Sequence, residues 1–190
     1  MSTTAIIVTV VVLLAIVGIA FEASALLRRR HLRTRFGPEY DRAISDQPTR
    51  AAAEHELRRR ERRYDELQLV PLSAQDQMRY ARQWTSIQAA FVDSPANAVR
   101  AADTLVTDVL QARGYPTDDF DERVETLSVD HATTLDHYRA AHEISEANAR
   151  GEATTEQLRQ ALVHYRELAT DLLPDAGKTA DHQLSPKAVR

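Results

Sequence analysis

The sequence predicts an all-α protein with an N-terminal transmembrane helix, a charged stem helix and a C-terminal bundle of about five helices. Residues 5–27 form an apolar run, and crossing a bilayer core takes about 20 mostly apolar residues. Beyond residue 69, apolar side chains recur at spacings of three and four, which is typical of amphipathic helices. No segment alternates with a period of two over a useful length, so strands are not expected.

The predicted domains follow from these patterns and from shifts in composition. Residues 1–4 are an N-terminal extension, 5–27 a transmembrane anchor and 28–69 a basic, charged juxtamembrane stem. Residues 70–173 are the α-helical domain, which is long enough to bury a core unaided. In residues 174–190 apolar residues give way to Gly, Pro and charge, so this tail is predicted to be disordered.

Basic residues directly after the apolar run indicate the orientation of the anchor. Residues 1–4 contain no Lys or Arg, and an excess of basic residues marks the cytoplasmic end of a span. We therefore expect the N-terminus outside and the helical domain in the cytoplasm. Five arginines are expected at the membrane surface, in contact with lipid headgroups: Arg28, Arg29, Arg30, Arg33 and Arg35.

A cleaved signal peptide is the main alternative to a retained anchor. Ala23-Ser24-Ala25 has the small-x-small form that signal peptidase accepts. Against cleavage, the chain lacks a basic n-region, and the uninterrupted apolar stretch 5–21 exceeds the usual h-region of about 7–15 residues. The alternative placement, an extracytoplasmic envelope protein or a secreted one, stays open.

Charge divides the remaining chain into two parts. Residues 28–69 hold twelve Arg against eight Asp and Glu, whereas residues 70–190 hold twelve Lys and Arg against nineteen Asp and Glu. The basic run 58–63 suggests nucleic-acid binding at first sight. Interleaved acids such as Glu54, Glu61 and Asp65 neutralise most of that charge, so a solvated helix with ion pairs is favoured and no nucleic acid is expected.

Breaks and caps define the helices of the stem. Phe36-Gly37-Pro38 interrupts the first helix, since Gly and Pro both disfavour a helix interior. A short helix over 39–44 follows, and Thr49 is the predicted cap of a charged helix over 50–67. The apolar stripe of that helix is too thin for a true coiled coil.

The helical domain shows five amphipathic segments, each with start or stop signals. Ser73 and Asp76 open the first, Pro95 and Gly114 bound the second, and acidic residues begin the third over 118–127. The fourth spans 132–150, and a capping box of Thr154 and Gln157 opens the fifth. The residues expected in the core are Tyr80, Trp84, Ile87, Phe91, Leu105, Val109, Leu135, Tyr138, Leu158, Leu162 and Tyr165.

The sequence contains no pattern that predicts catalysis. Cysteine is absent, the five glycines lie singly, and neither His-Glu-x-x-His nor Gly-x-Ser-x-Gly occurs. The acids near 118–125 lack the spacing of a calcium loop. We therefore predict no catalytic residues, no cofactor and no metal ligand.

The order of several motifs resembles a family of bacterial proteins labelled hypothetical membrane or secreted proteins. The motifs are Arg35-Phe36-Gly37-Pro38-Glu39-Tyr40-Asp41-Arg42, Pro71-Leu72-Ser73, Gln83-Trp84 with Phe91-Val92-Asp93, Arg113-Gly114-Tyr115-Pro116, Val129-Asp130-His131, Tyr138-Arg139-Ala140-Ala141-His142 and Gly151-Glu152-Ala153-Thr154-Thr155. The resemblance implies a membrane-anchored helical protein and implies no activity.

These observations together predict a non-enzymatic protein that acts through protein contacts, as a scaffold or adaptor. The expected partners are membrane lipids and a protein that the sequence does not identify. Homo-oligomerisation is left open, and an enzyme without a recognisable motif is the third interpretation.

Overall fold

The computed structural model describes residues 3–173, without the side chains of residues 3–11, 21 and 25. The described chain contains helices and no strand, which confirms the all-α class. Eight helices follow one another: α1 (Thr3–Phe36), α2 (Pro38–Asp46), α3 (Arg50–Asp65), α4 (Ala74–Ala90), α5 (Pro95–Ala112), α6 (Phe120–Asp130), α7 (Leu135–Ala149) and α8 (Thr155–Leu172). They form two compact units, Met1–Arg59 and Arg60–Arg190.

Two sequence predictions about the chain ends concern residues outside this description. The predicted disordered tail, 174–190, lies there entirely, and the predicted anchor, 5–27, has several of its side chains there. Within the described residues, no helix combines the length and the apolar character needed to cross a membrane.

In the first unit, a glycine and a proline separate α1 from α2. Gly37 has a φ of 46°, a left-handed conformation that glycine adopts without a Cβ penalty, and Pro38 takes the first position of α2. The Tyr40 hydroxyl donates to Glu54 over 3.0 Å and so joins α2 to α3. The buried apolar side chains of this unit are Leu32, Phe36, Tyr40, Ala43, Ala53 and Leu57.

The second unit is a bundle in which α5 and α8 occupy the centre. α8 packs against α7 and α5, and α5 also packs against α4. Tyr64, Leu67 and Leu69 pack against this core, so the expected domain boundary at residue 70 lies inside the unit. These three apolar side chains reach the core from the end of α3 and the loop that follows.

The structure places the eleven expected core residues at two depths. Eight are buried: Tyr80, Ile87, Leu105, Val109, Leu135, Tyr138, Leu158 and Tyr165. Trp84, Phe91 and Leu162 are only partly buried and pack against the edge of the core. The spacing in α4 identifies its inward side correctly, but Trp84 lies at the margin of that side.

Local signals account for several helix ends. The Ser73 side chain accepts from the Asp76 backbone N–H over 3.0 Å, and Thr154 and Gln157 form the expected capping box. Several expected boundaries were wrong: α2 spans Pro38–Asp46 rather than 39–44, α3 ends at Asp65 rather than 67, and α6 spans Phe120–Asp130 rather than 118–127. α7 begins at Leu135 rather than 132, because residues 132–134 form a turn closed by the Thr134 N–H bonding to the His131 carbonyl.

Candidate functional site

The five arginines expected at the membrane surface lie at the end of α1, in the first unit. All five are exposed. Arg28 donates to the Ser24 hydroxyl over 2.7 Å, Arg29 lies 3.4 Å from Glu54, and Arg33 lies 3.3 Å from Asp41. Acids of α2 and α3 therefore compensate part of this charge. The other two members of the set, Arg30 and Arg35, are exposed on the same last turns of α1.

In the second unit, an aspartate of α5 is bound by a tyrosine of α8. The Tyr165 hydroxyl donates to Asp103 Oδ1 over 2.7 Å. Burial alone would raise the pKa of Asp103, but His142, Tyr165 and Arg123 outweigh it and hold the pKa below its ordinary value. Burial, together with the neighbouring carboxylate, raises the pKa of Tyr165. At neutral pH the pair is thus a carboxylate and a neutral phenol.

A buried arginine of α6 extends this polar cluster. Arg123 donates to the Tyr138 hydroxyl over 2.7 Å, to the Thr117 carbonyl over 2.8 Å and to the Thr107 hydroxyl over 3.2 Å. Only 8% of Arg123 is exposed. Burial raises the pKa of Tyr138 to about 12, and the Arg123 charge opposes this rise. The guanidinium therefore connects α6, α7, α5 and the loop before α6 within the core.

An open pocket lies at the edge of this cluster, next to a stacked pair of rings. His142 stacks on Phe120 with ring centroids 3.7 Å apart and planes within 10°. His142 Nδ1 is 4.0 Å from Asp103, and Nε2 is 3.6 Å from Glu146. The pocket has a volume of about 390 Å³, and its charged lining is mainly acidic, with Arg139 as its one arginine. It contains no Ser, Thr or Lys that could act as a nucleophile.

A second polar cluster connects the α6–α7 turn to the end of α8. His131 Nδ1 lies 2.7 Å from Asp171 Oδ2, and the Thr134 hydroxyl donates to the same oxygen over 2.8 Å. Arg113 Nη1 lies 3.5 Å from His131 Nε2. Since an arginine can only donate, this contact favours the tautomer in which Nδ1–H donates to Asp171. The hydrogen bond from His131 lowers the pKa of Asp171, and burial partly opposes this.

Sequence reasoning missed the main members of both clusters, which are Asp103, Arg123, His131 and Asp171. One signal was available for Arg123, because it lies four residues before the inward-facing Leu127 and three after Phe120. That register indicates a partly inward position. The other three residues offered no comparable pattern, since their partners lie far away in the chain.

The described residues show no arrangement of three or more His, Asp or Glu side chains that could hold a metal ion.

A groove beside α4 and α5, lined in part by Arg79, Ile87 and Leu105, has a volume of about 630 Å³ and is also open to solvent. Fold and sites define an all-α protein whose helical bundle has an apolar core and two polar clusters. Comparison with protein families, curated proteins and solved structures gives no match for this chain.

Proposed function

We propose that this chain is a membrane-anchored, non-enzymatic helical protein that acts through protein contacts, as a scaffold or adaptor. The observation that carries the proposal is the apolar surface of α1. Eight large apolar side chains in its first part are at least half exposed, before the buried Leu32 and Phe36: Val12, Leu13, Leu14, Ile16, Val17, Ile19, Leu26 and Leu27. Apolar surface left in water costs about 25 cal/mol per Å². A bilayer would remove this cost for side chains on every side of the helix.

The arginines that follow support a defined orientation. α1 continues without a break from the apolar run into the segment of Arg28 and Arg33. Basic residues next to a span favour the cytoplasmic side and anionic headgroups. We therefore propose that residues 5–27 are the anchor and that the helical domain lies in the cytoplasm.

The chemistry of the second unit supports binding rather than catalysis. Asp103 and Asp171, which are the carboxylates of the two polar clusters, are hydrogen-bonded to Tyr165 and His131 and hold helices together. Sites for small substrates usually enclose most of the ligand surface, whereas both cavities here are open. An open surface on a packed helical bundle suits contact with another macromolecule.

Membrane attachment can be tested by fractionation of the full chain. A variant with V12K, I16K and I19K should leave the membrane fraction, because charge inside a bilayer is costly. The matched control is V163K, at an exposed valine of α8, which should remain with the membrane. If the triple variant fractionates like the wild type under carbonate extraction, the anchor proposal is wrong.

Orientation needs reporter fusions placed after residue 173. An alkaline phosphatase fusion should be inactive, and a reporter that works in the cytoplasm should be active. The opposite pattern would place the helical domain outside the cytoplasm. A mature chain that begins near Leu26 would show a cleaved signal peptide instead.

Partner binding requires the intact protein and its native membrane. We expect capture of the wild-type chain to recover a protein that a chain lacking residues 70–173 does not recover. Recovery of the chain alone, in multiple copies, would indicate a homo-oligomer. Reproducible stabilisation by a small molecule, without a protein partner, would favour an enzyme or a ligand-binding protein.

A further inference from the structure

Two histidines on adjacent helices of the second unit face each other. His137 belongs to α7 and His164 to α8, and their Nδ1 atoms are 2.9 Å apart. The ring centroids are separated by 5.1 Å, with 32° between the planes. Both side chains are half-buried. α7 and α8 pack along each other, so the helix backbones hold the two imidazoles close together.

We propose that His137 and His164 together bind one divalent transition-metal ion of the class that prefers imidazole nitrogen. Metal–nitrogen bonds are about 2.05 Å long, and two nitrogens 2.9 Å apart then subtend about 90° at the metal. This is the angle between neighbouring ligands in square-planar and octahedral complexes, the geometries of copper(II) and nickel(II). At the same bond length, the tetrahedral angle of a zinc site corresponds to a longer separation between the two nitrogens.

Metal binding replaces an existing hydrogen bond. Without a metal, one Nδ1–H donates to the other Nδ1, so one ring must give up that proton. The proton moves through water to Nε2 of the same ring, and no net proton is released. Each ring then turns about its Cβ–Cγ bond until both lone pairs point to one position, which their partial exposure allows.

The surroundings are compatible with a cation. Glu167 lies one turn after His164 and acts on it electrostatically, and its exposed carboxylate also accepts from Arg166 over 3.3 Å. Partial burial and the nearby His137 lower the pKa of His164, and the neutral imidazole is the form that binds metals. Water completes the coordination of a two-histidine site.

The test is calorimetric titration of the full chain, in non-ionic detergent and without a histidine tag. We expect one ion of Cu²⁺ or Ni²⁺ per chain, with Cu²⁺ bound more tightly, and no binding of Mg²⁺. H137Q and H164Q should each weaken binding by about tenfold or more. H55Q removes an exposed histidine of α3 and should bind like the wild type.

A spectroscopic measurement on the wild type does not depend on how the variants fold. The electron paramagnetic resonance spectrum of the Cu²⁺ complex should show coupling to two imidazole nitrogens. Absence of binding, coupling to fewer than two nitrogens, or unchanged affinity in the folded double variant H137Q/H164Q would each overturn the proposal.

Discussion

Tyr165 on α8 donates a 2.7 Å hydrogen bond to Asp103 on α5, across 62 positions of the chain. The bond joins the two central helices of the bundle, where Tyr165 is buried and Asp103 is partly buried. It also favours the ionised carboxylate, because Tyr165, together with His142, lowers the pKa of Asp103 against the effect of burial. The interaction therefore combines helix packing with electrostatics.

Removal of the Tyr165 hydroxyl should destabilise the bundle. Y165F leaves the Asp103 carboxylate without its donor, and a hydrogen bond to a charged group contributes about 1.5–3 kcal/mol. We expect a loss of this size in the free energy of unfolding, measured with urea and followed by the fluorescence of Trp84, the single tryptophan. The control is Y80F, since the Tyr80 hydroxyl reaches the Asp108 carbonyl only at 3.4 Å. Equal losses of stability in Y165F and Y80F would contradict a special contribution of the bond between Tyr165 and Asp103.

The bundle should lose stability when the side chain at Arg123 keeps its bulk but loses its charge. R123M leaves the Tyr138 hydroxyl and the Thr117 carbonyl without their donor, and we expect destabilisation by about 2–4 kcal/mol. R123K should not restore stability, because an ammonium group cannot reproduce the fork of a guanidinium. R159M changes an exposed arginine paired with Glu156 and should leave the urea midpoint where it is. A wild-type midpoint for R123M would show that these bonds contribute nothing.

Acid should weaken the second polar cluster. The folded-state pKa of Asp171 lies below that of an unfolded aspartate, which is about 3.9. A lowered carboxyl pKa contributes stability above the unfolded value, and this contribution disappears as pH falls from there through the folded value. D171N should therefore flatten the fall in the urea midpoint below about pH 4. D93N, at an exposed carboxylate, should keep the wild-type curve. If D171N and the wild type show the same dependence of the urea midpoint on pH, the cluster does not contribute this stability.

Two glycines with similar backbone conformations should respond differently to alanine. Gly114 has a φ of 90°, and an added Cβ would lie 2.8 Å from the Gln68 carbonyl oxygen. Gly151 has a φ of 75° and nothing within 4 Å of that position. We expect G151A to cost about 1 kcal/mol from backbone strain, and G114A at least about twice as much, since a backbone atom must also move. Thermal and urea unfolding measure both, and equal costs would show that the loop at Gln68 yields easily.

Features encoded within one turn of helix could be predicted from the sequence. Ser73 with Asp76 and Thr154 with Gln157 are neighbours in the chain, so their caps form wherever a helix begins there. The break at Gly37 and Pro38 is equally local. Apolar spacing identified the inward side of α4, α5, α7 and α8 because the period of a helix determines which residues share a side.

The polar clusters depend on how the helices pack and could not be predicted. Asp171 meets His131 across 40 positions, and neither residue stands in a recognisable motif. The Thr134 hydroxyl, just before α7, also donates to Asp171, and this contact depends on helix packing as well. Trp84 was placed too deep because spacing indicates a direction from the helix axis but not the distance to the next helix.

The central place of α8 also has a consequence for biosynthesis. Among the helices of the bundle it is the last to leave the ribosome, yet it covers α5 and α7 and supplies Tyr165 and Asp171. Until it emerges, those two helices expose the apolar surface that α8 covers in the folded bundle. Contacts between segments far apart in sequence slow folding and prolong such exposure. Just before α8 emerges, the nascent chain therefore exposes the largest apolar surface to which a holdase chaperone can bind.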